Sequence, residues 1–270
     1  MSKFAVIFAS HIPSIDKLWV GEDILKKIKE NLPEADIFVG INPSSCTDEW
    51  IEIIKKYTDK YGITPNNLII NSDASSYQTA LKMYKNKGHK DYDLVWFLHT
   101  QGTKSGRHDV RRSHLKTLLD DHLEIVDLFK RDKLLGAYGN SLSPLPSCWE
   151  DSEWDFYLGR FGLEFVNRPI RCFLVGTMYV IRGYILNNFI FKCNDSFFNE
   201  ILHNPHTNGS GDPWFFERDF IHIVDGFTNH YIKSKYTINN YNIPLNGLTD
   251  NEHYEKLLNN WKLKNDIKDE

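Results

Sequence analysis

One short stretch of the chain concentrates groups that can do chemistry. It reads His99-Thr100-Gln101-Gly102-Thr103-Lys104-Ser105-Gly106-Arg107, with Arg111 and Arg112 close behind. Glycine admits positive φ and close backbone approach, so Gly102 and Gly106 would let main-chain amides face a ligand. Amides at a helix start, together with Lys104, Arg107 and Arg111, make a cradle for a diphosphate. Neither G-x-x-x-x-G-K-[ST] nor G-x-G-x-x-G occurs here, so the P-loop and the dinucleotide fingerprint are excluded. The plainer use of the same residues is a glycine-containing loop before a solvated basic helix face. His99 could ligate a divalent metal, donate to a phosphate, or be a satisfied structural side chain, and His11 offers the same choices.

Two further groups have the right chemistry. Asp73 and Gln78 flank a short apolar run, and a carboxylate or amide there could recognise a base or ribose. The commoner use of an Asp in Asn-Ser-Asp-Ala-Ser-Ser is a turn or cap. Later, Gly211-Asp212-Pro213-Trp214-Phe215-Phe216-Glu217-Arg218 follows a glycine-rich loop. Asp212 or Glu217 could act as a general base while Trp214 stacks on a sugar ring. Helix capping by Asp212 and an intrahelical contact of Glu217 are the alternatives.

These residues need elements to hold them. Phe4 to Ala9 is a continuous apolar run, the pattern of a strand buried on both faces, and it delivers Ser10 and His11. Residues 22–32 carry Ile24, Leu25, Ile28 and Leu32 on one helical stripe. Asp36 to Asn42 predicts a second strand, Trp50 to Tyr61 a second helix and Leu68 to Asn71 a third strand. A third helix over 77–87 would be capped by Ser75 or Ser76. Asp93 to His99 predicts a fourth strand. This alternation implies a parallel sheet with right-handed crossovers, whose ligands bind beyond the carboxyl ends of the strands. Ser10, His11, Asn42, Asp73 and His99 to Gly102 then share one rim.

The second half is less regular. The pattern predicts one long helix from Asp109 to Lys130, a strand at Leu134 to Tyr138 and a loop over 141–155. A strand from Cys172 to Ile181 is followed by a helix. A loop from His203 to Pro213 precedes a helix near Trp214 to Ile221, and an amphipathic stretch starts at Tyr254 in a polar tail.

Composition bounds the function. The chain has 270 residues, is 41% hydrophobic and 25% charged, and carries a formal net charge of -4. A pI near 6.3 argues against bulk binding of nucleic acid, which needs a basic face. No run of about 18 apolar residues occurs, so no membrane span is expected, nor a signal peptide. Cys46, Cys148, Cys172 and Cys193 form no C-x-x-C pair, and reduced thiols in the cytoplasm are the expectation.

The order of elements resembles a GT-A glycosyltransferase. Asn71-Ser-Asp-Ala-Ser-Ser-Tyr-Gln resembles the segment where such enzymes touch the base. Asp93 to His99 resembles the strand that ends in their metal motif, usually Asp-x-Asp. Here His99-Thr100-Gln101-Gly102 stands in that place and is similar to the His-Thr-Lys motif of the rhamnan-synthesis F family, bacterial and viral sugar transferases. Phe173-Leu-Val-Gly-Thr-Met-Tyr-Val-Ile-Arg resembles that family's Ala-Gly-[Ser/Thr]-Met-Phe-x-x-Arg strand. Trp214-Phe-Phe-Glu-Arg resembles its late Glu-Arg helix.

The resemblance implies an α/β, GT-A-like fold: a Rossmann-like, mostly parallel sheet with helices on both faces and an irregular C-terminal acceptor half. It implies a single domain over 1–270, with a nucleotide-sugar-binding half (1–135), a sugar/acceptor half (136–245) and a C-terminal helix and tail (246–270). The implied activity is transfer of a hexosyl group from a nucleoside diphosphate sugar, UDP-sugar favoured, to a glycan or other hydroxyl acceptor. The base would lie near Ser10, Asn42 and Asp73, the diphosphate at His99 to Lys104, and the donor sugar under Gly176-Thr177, with His11 and Gln78 as further nucleotide-sugar-binding candidates. His99 is the candidate ligand for Mn2+ or Mg2+. These hard ions favour anionic oxygen over imidazole and the Gln101 amide, so Lys104, Arg107 and Arg111 are the candidates to replace the ion electrostatically. The competing reading is a non-catalytic nucleotide-sugar or glycan binding module.

Overall fold

A computed structural model describes residues 3–72, 76–87, 91–100, 108–144, 172–174, 178–190 and 231–237. The expectations for 145–155, for 203–221 and for the tail lie outside them. The strands are β1 (Phe4–Ile12), β2 (Asp36–Pro43), β3 (Leu68–Ile70), β4 (Leu94–His99), β5 (Leu135–Pro144), β6 (Cys172–Leu174), β7 (Tyr179–Arg182) and β8 (Tyr231–Thr237). The helices are α1 (Leu18–Asn31), α2 (Asp48–Lys60), α3 (Ser76–Lys87), α4 (His108–Leu115), α5 (His122–Arg131) and α6 (Gly183–Ile190).

All eight described strands belong to one mixed sheet in the order β3-β2-β1-β4-β7-β5-β6, with β8 paired to β5. β1 to β4 are mutually parallel as their alternation with helices predicts. β7 runs antiparallel to both β4 and β5, so β5 points the same way as β4.

Each central strand buries both faces. On β1, Val6, Phe8 and Ile12 join a core roofed by α1, α2 and α5, while Ala5, Ile7 and Ala9 join the core under α3 and α6. Polar residues could not survive mid-strand without partners, which is why β1, β2 and β4 read as unbroken apolar runs. Helix α3 lies hard against β2, and a Cβ at Gly40 would collide with the Ala80 amide nitrogen.

Two expectations change. The long helix predicted over 109–130 is α4 and α5 separated by a π-helical segment, Lys116–Asp120. There the fully buried Trp96 of β4 donates its indole N–H to the Leu118 carbonyl at 2.8 Å, and a wider turn suits a carbonyl claimed from outside the helix. β5 extends to Pro144, so residues 141–144 are strand rather than loop, paired to β6 and β8. The strand predicted over 172–181 is seen as β6 and β7, both antiparallel to β5, and residues 175–177 between them lie outside the described residues. Among the described residues, no helix is long and apolar enough to cross a membrane.

Candidate functional site

The strand order creates a reversal. From β1 the chain steps outward to β2 and β3, then crosses back to place β4 on the other side of β1. In open α/β sheets, such a reversal leaves a crevice beyond the carboxyl ends of the two flanking strands. Those ends carry His11 on β1 and His99-Thr100 on β4.

Thr100 laces the two strands together there. Its amide donates to the Ala9 carbonyl at 3.1 Å, and its Oγ1 accepts the His11 amide at 2.8 Å. The same hydroxyl donates to the His11 carbonyl at 3.3 Å. One rung over, His11 Nδ1 lies 2.7 Å from Asn42 Oδ1. The Asn42 amide nitrogen donates to the Asn71 and Ser72 carbonyls, both at 3.1 Å. The ends of β1, β2, β3 and β4 are thus one hydrogen-bonded rim.

His99 points to the α3 side. Its Nδ1 lies 2.9 Å from the Tyr77 hydroxyl, with the rings 5.0 Å apart. Tyr77 stacks on Phe97 and Phe97 on Tyr179, so the histidine rests on an aromatic column set by the core.

The remaining predicted residues divide. Ser10 is fully buried, because alternation along β1 turns it away from His11 to lie beneath α1, near Gly21 and the Tyr57 hydroxyl. Arg111 is also fully buried. Its Nη1 donates to His108 Nδ1 at 3.0 Å, and its guanidinium lies 5.2 Å from the Trp19 ring centroid. Burial lowers the Arg111 pKa, and the charge of Asp23 opposes that shift. Gln78 is on α3, but its side chain lies outside the described residues. Asp73, Gln101, Gly102, Lys104, Arg107, Gly176, Thr177, Asp212, Trp214 and Glu217 also lie outside them.

Other polar groups near the rim were not foreseen. Because β5 is parallel to β4, its Asn140 and Ser141 reach the level of His99. Thr117 Oγ1 donates to Asn140 Oδ1 at 2.6 Å, and Asn140 Nδ2 donates to Ser141 Oγ at 3.0 Å. His114 of α4 is 1% exposed. Burial, reinforced by the charge of His99, lowers its pKa to about 4. The available signal was the polar pair Asn140-Ser141 directly after an apolar run, the same pattern that flagged His11 and His99. Tyr77, Trp19 and His108 had no such signal, since their relevance comes from neighbours remote in sequence. A separate cleft of about 410 Å3, bordered by Phe4, Leu94, Phe129, Lys130 and Arg182, opens at the other end of β1 and β4.

The described donors do not fit a hard divalent ion. The rim offers imidazole nitrogens and a carboxamide, and Nδ1 of each histidine is already bonded to Asn42 or Tyr77. Among the described residues, no cluster of three or more His, Cys, Asp or Glu side chains is placed to hold a metal. What the rim does is gather imidazole, hydroxyl and carboxamide groups at the carboxyl ends of β1, β2 and β4. No family model matches this chain, and no curated protein matches it.

Proposed function

We propose that the chain is a GT-A-type glycosyltransferase that moves a hexosyl group from a nucleoside diphosphate sugar to a hydroxyl acceptor. The observation that carries this reading is the laced rim of His11, Asn42, His99 and Thr100 at the β1/β4 reversal. It stands where such a sheet binds a nucleotide, and it ends in the His-Thr segment that resembles the rhamnan-synthesis F family. Asn42 and His11 lie toward the nucleoside, and His99, with Lys104 and Arg107 after it, toward the diphosphate. Cationic side chains there stabilise charge building on the leaving diphosphate. In an inverting course, Asp212 or Glu217 takes the acceptor hydroxyl proton as the oxygen bonds to the anomeric carbon and the bond to the diphosphate breaks. A retaining course does without that base.

The test combines binding and turnover. Thermal shift against UDP- and GDP-sugars, with and without Mn2+, should show stabilisation by one donor class. Asp212→Asn or Glu217→Gln should then abolish transfer while preserving donor binding. Full transfer by both variants sinks the base assignment, and absence of donor binding sinks the reading. Binding without turnover would favour a non-catalytic binding module, a reading supported by the neutral donors at the rim.

A further inference from the structure

We infer that Trp19 and His108 form a platform on the α1/α4 side of the rim for the ring portion of the ligand, base or sugar, with Arg111 as their positioning residue. The identity of that ligand rests on the nucleotide-sugar reading. The platform itself rests on geometry.

Its place follows from packing. A Cβ at Gly21 would sit 3.4 Å from Ser10 Oγ, so the first turn of α1, which carries Trp19, lies by the carboxyl end of β1. The rings of Trp19 and His108 lie 5.2 Å apart at 48°, which brings the first turn of α4 to the same place.

Trp19 is 42% exposed, unusual for so large an apolar ring, while the arginine that holds it is fully buried. The guanidinium covers one face of the indole at 5.2 Å and fixes it from the protein side. A fixed aromatic surface stacks a flat ring or an apolar sugar face at little entropic cost.

Arg111 also settles the chemistry of His108. A guanidinium only donates, so His108 Nδ1 accepts from it, and the neutral imidazole carries its proton on Nε2. The platform therefore pairs a stacking surface with a hydrogen-bond donor. That combination suits a ring with an acceptor oxygen on its edge, such as a pyrimidine carbonyl or a sugar hydroxyl. Arg111, lying behind the two, holds the platform rather than touching the ligand.

Uridine, UDP, GDP, methyl α-D-glucopyranoside and inorganic phosphate, titrated separately into the full chain, distinguish the sources. Uridine and UDP binding identifies a base, and glucoside binding a sugar. The bound probe should shift the Trp19 indole N–H resonance, assigned by its loss in Trp19→Phe. Trp19→Leu should weaken binding about tenfold or more, as loss of a stacked ring does, while Trp19→Phe retains most of it. Inorganic phosphate should leave the Trp19 resonance unmoved. Nitrogen-15 shifts of the ligand-free protein should show His108 protonated at Nε2. Protonation at Nδ1 alone overturns the pinning by Arg111. Nucleotide binding with an unmoved Trp19 resonance and undiminished affinity in Trp19→Leu overturns the platform and leaves the nucleotide-sugar reading intact. Trp19-dependent binding of the glucoside without any nucleotide binding upholds the platform and overturns that reading. If no ring-bearing probe binds, both fall.

Discussion

His11 and Asn42 face each other across the β1/β2 ladder with Nδ1 and Oδ1 2.7 Å apart, and the direction of that bond is determined. The Asn42 amide nitrogen is committed to the Asn71 and Ser72 carbonyls, so its oxygen must face the imidazole. His11 Nδ1 is therefore the donor. A neutral His11 has its lone pair on Nε2, the reverse of His108.

Nitrogen-15 spectra should accordingly show His11 protonated at Nδ1 at neutral pH. Asn42→Leu removes the acceptor and both carbonyl contacts. It should cost about 1–3 kcal/mol in urea unfolding, the loss of three hydrogen bonds at a partly exposed rim. A His11 signal with the proton on Nε2 alone would contradict the arrangement.

His114 makes stability depend on pH. Its pKa falls from an ordinary value of 6.5 to about 4 in the folded chain, because burial disfavours the imidazolium. The unfolded chain thus binds the proton first as pH drops. Stability from this group is complete above about pH 6.5 and declines toward pH 4, by on the order of 3 kcal/mol over the whole range. Unfolding free energies measured from pH 7.5 to 4 should show that slope, and His114→Gln should flatten it. An unchanged slope in the variant would assign the loss to other groups.

Arg182 closes the opposite end of the sheet. Its Nε donates to the Leu135 carbonyl at 2.7 Å, and its Nη2 to the Asp132 and Phe129 carbonyls at 2.6 and 2.9 Å. One planar fork thereby ties β7 to the end of α5 and the start of β5. Lysine carries its donors on a single nitrogen and cannot reproduce the planar fork, so Arg182→Lys should cost about 1–3 kcal/mol in denaturant unfolding even though the charge is kept. A midpoint unchanged from the parent chain would show the fork to be dispensable.

At Gly40 helix α3 and strand β2 meet backbone to backbone. Any Cβ there meets the backbone of Thr79 and Ala80, which cannot rotate aside. Gly40→Ala should destabilise by about 3 kcal/mol, seen as a lower thermal midpoint. Since β2 also presents Asn42, the variant should disturb the His11 resonances as well.

The sequence by itself determined the parallel half of the fold. β1, β2 and β4 are buried on both faces, and that demands unbroken apolar runs which a linear reading detects. It also marked the rim, because a polar residue ending such a run must lie where the sheet meets solvent or a ligand, as His11, Asn42 and His99 do. Tertiary structure alone decided the rest. The antiparallel setting of β7 and the pairing of Tyr231–Thr237 with β5 depend on partners far along the chain. The break between α4 and α5 contains a carbonyl claimed by Trp96, which leaves no local trace. Arg111 reads as a phosphate ligand in sequence, yet only packing shows it buried behind Trp19 and His108. Periodicity reports which face of an element is apolar. It carries no information on which distant element that face, or a single side chain, will meet.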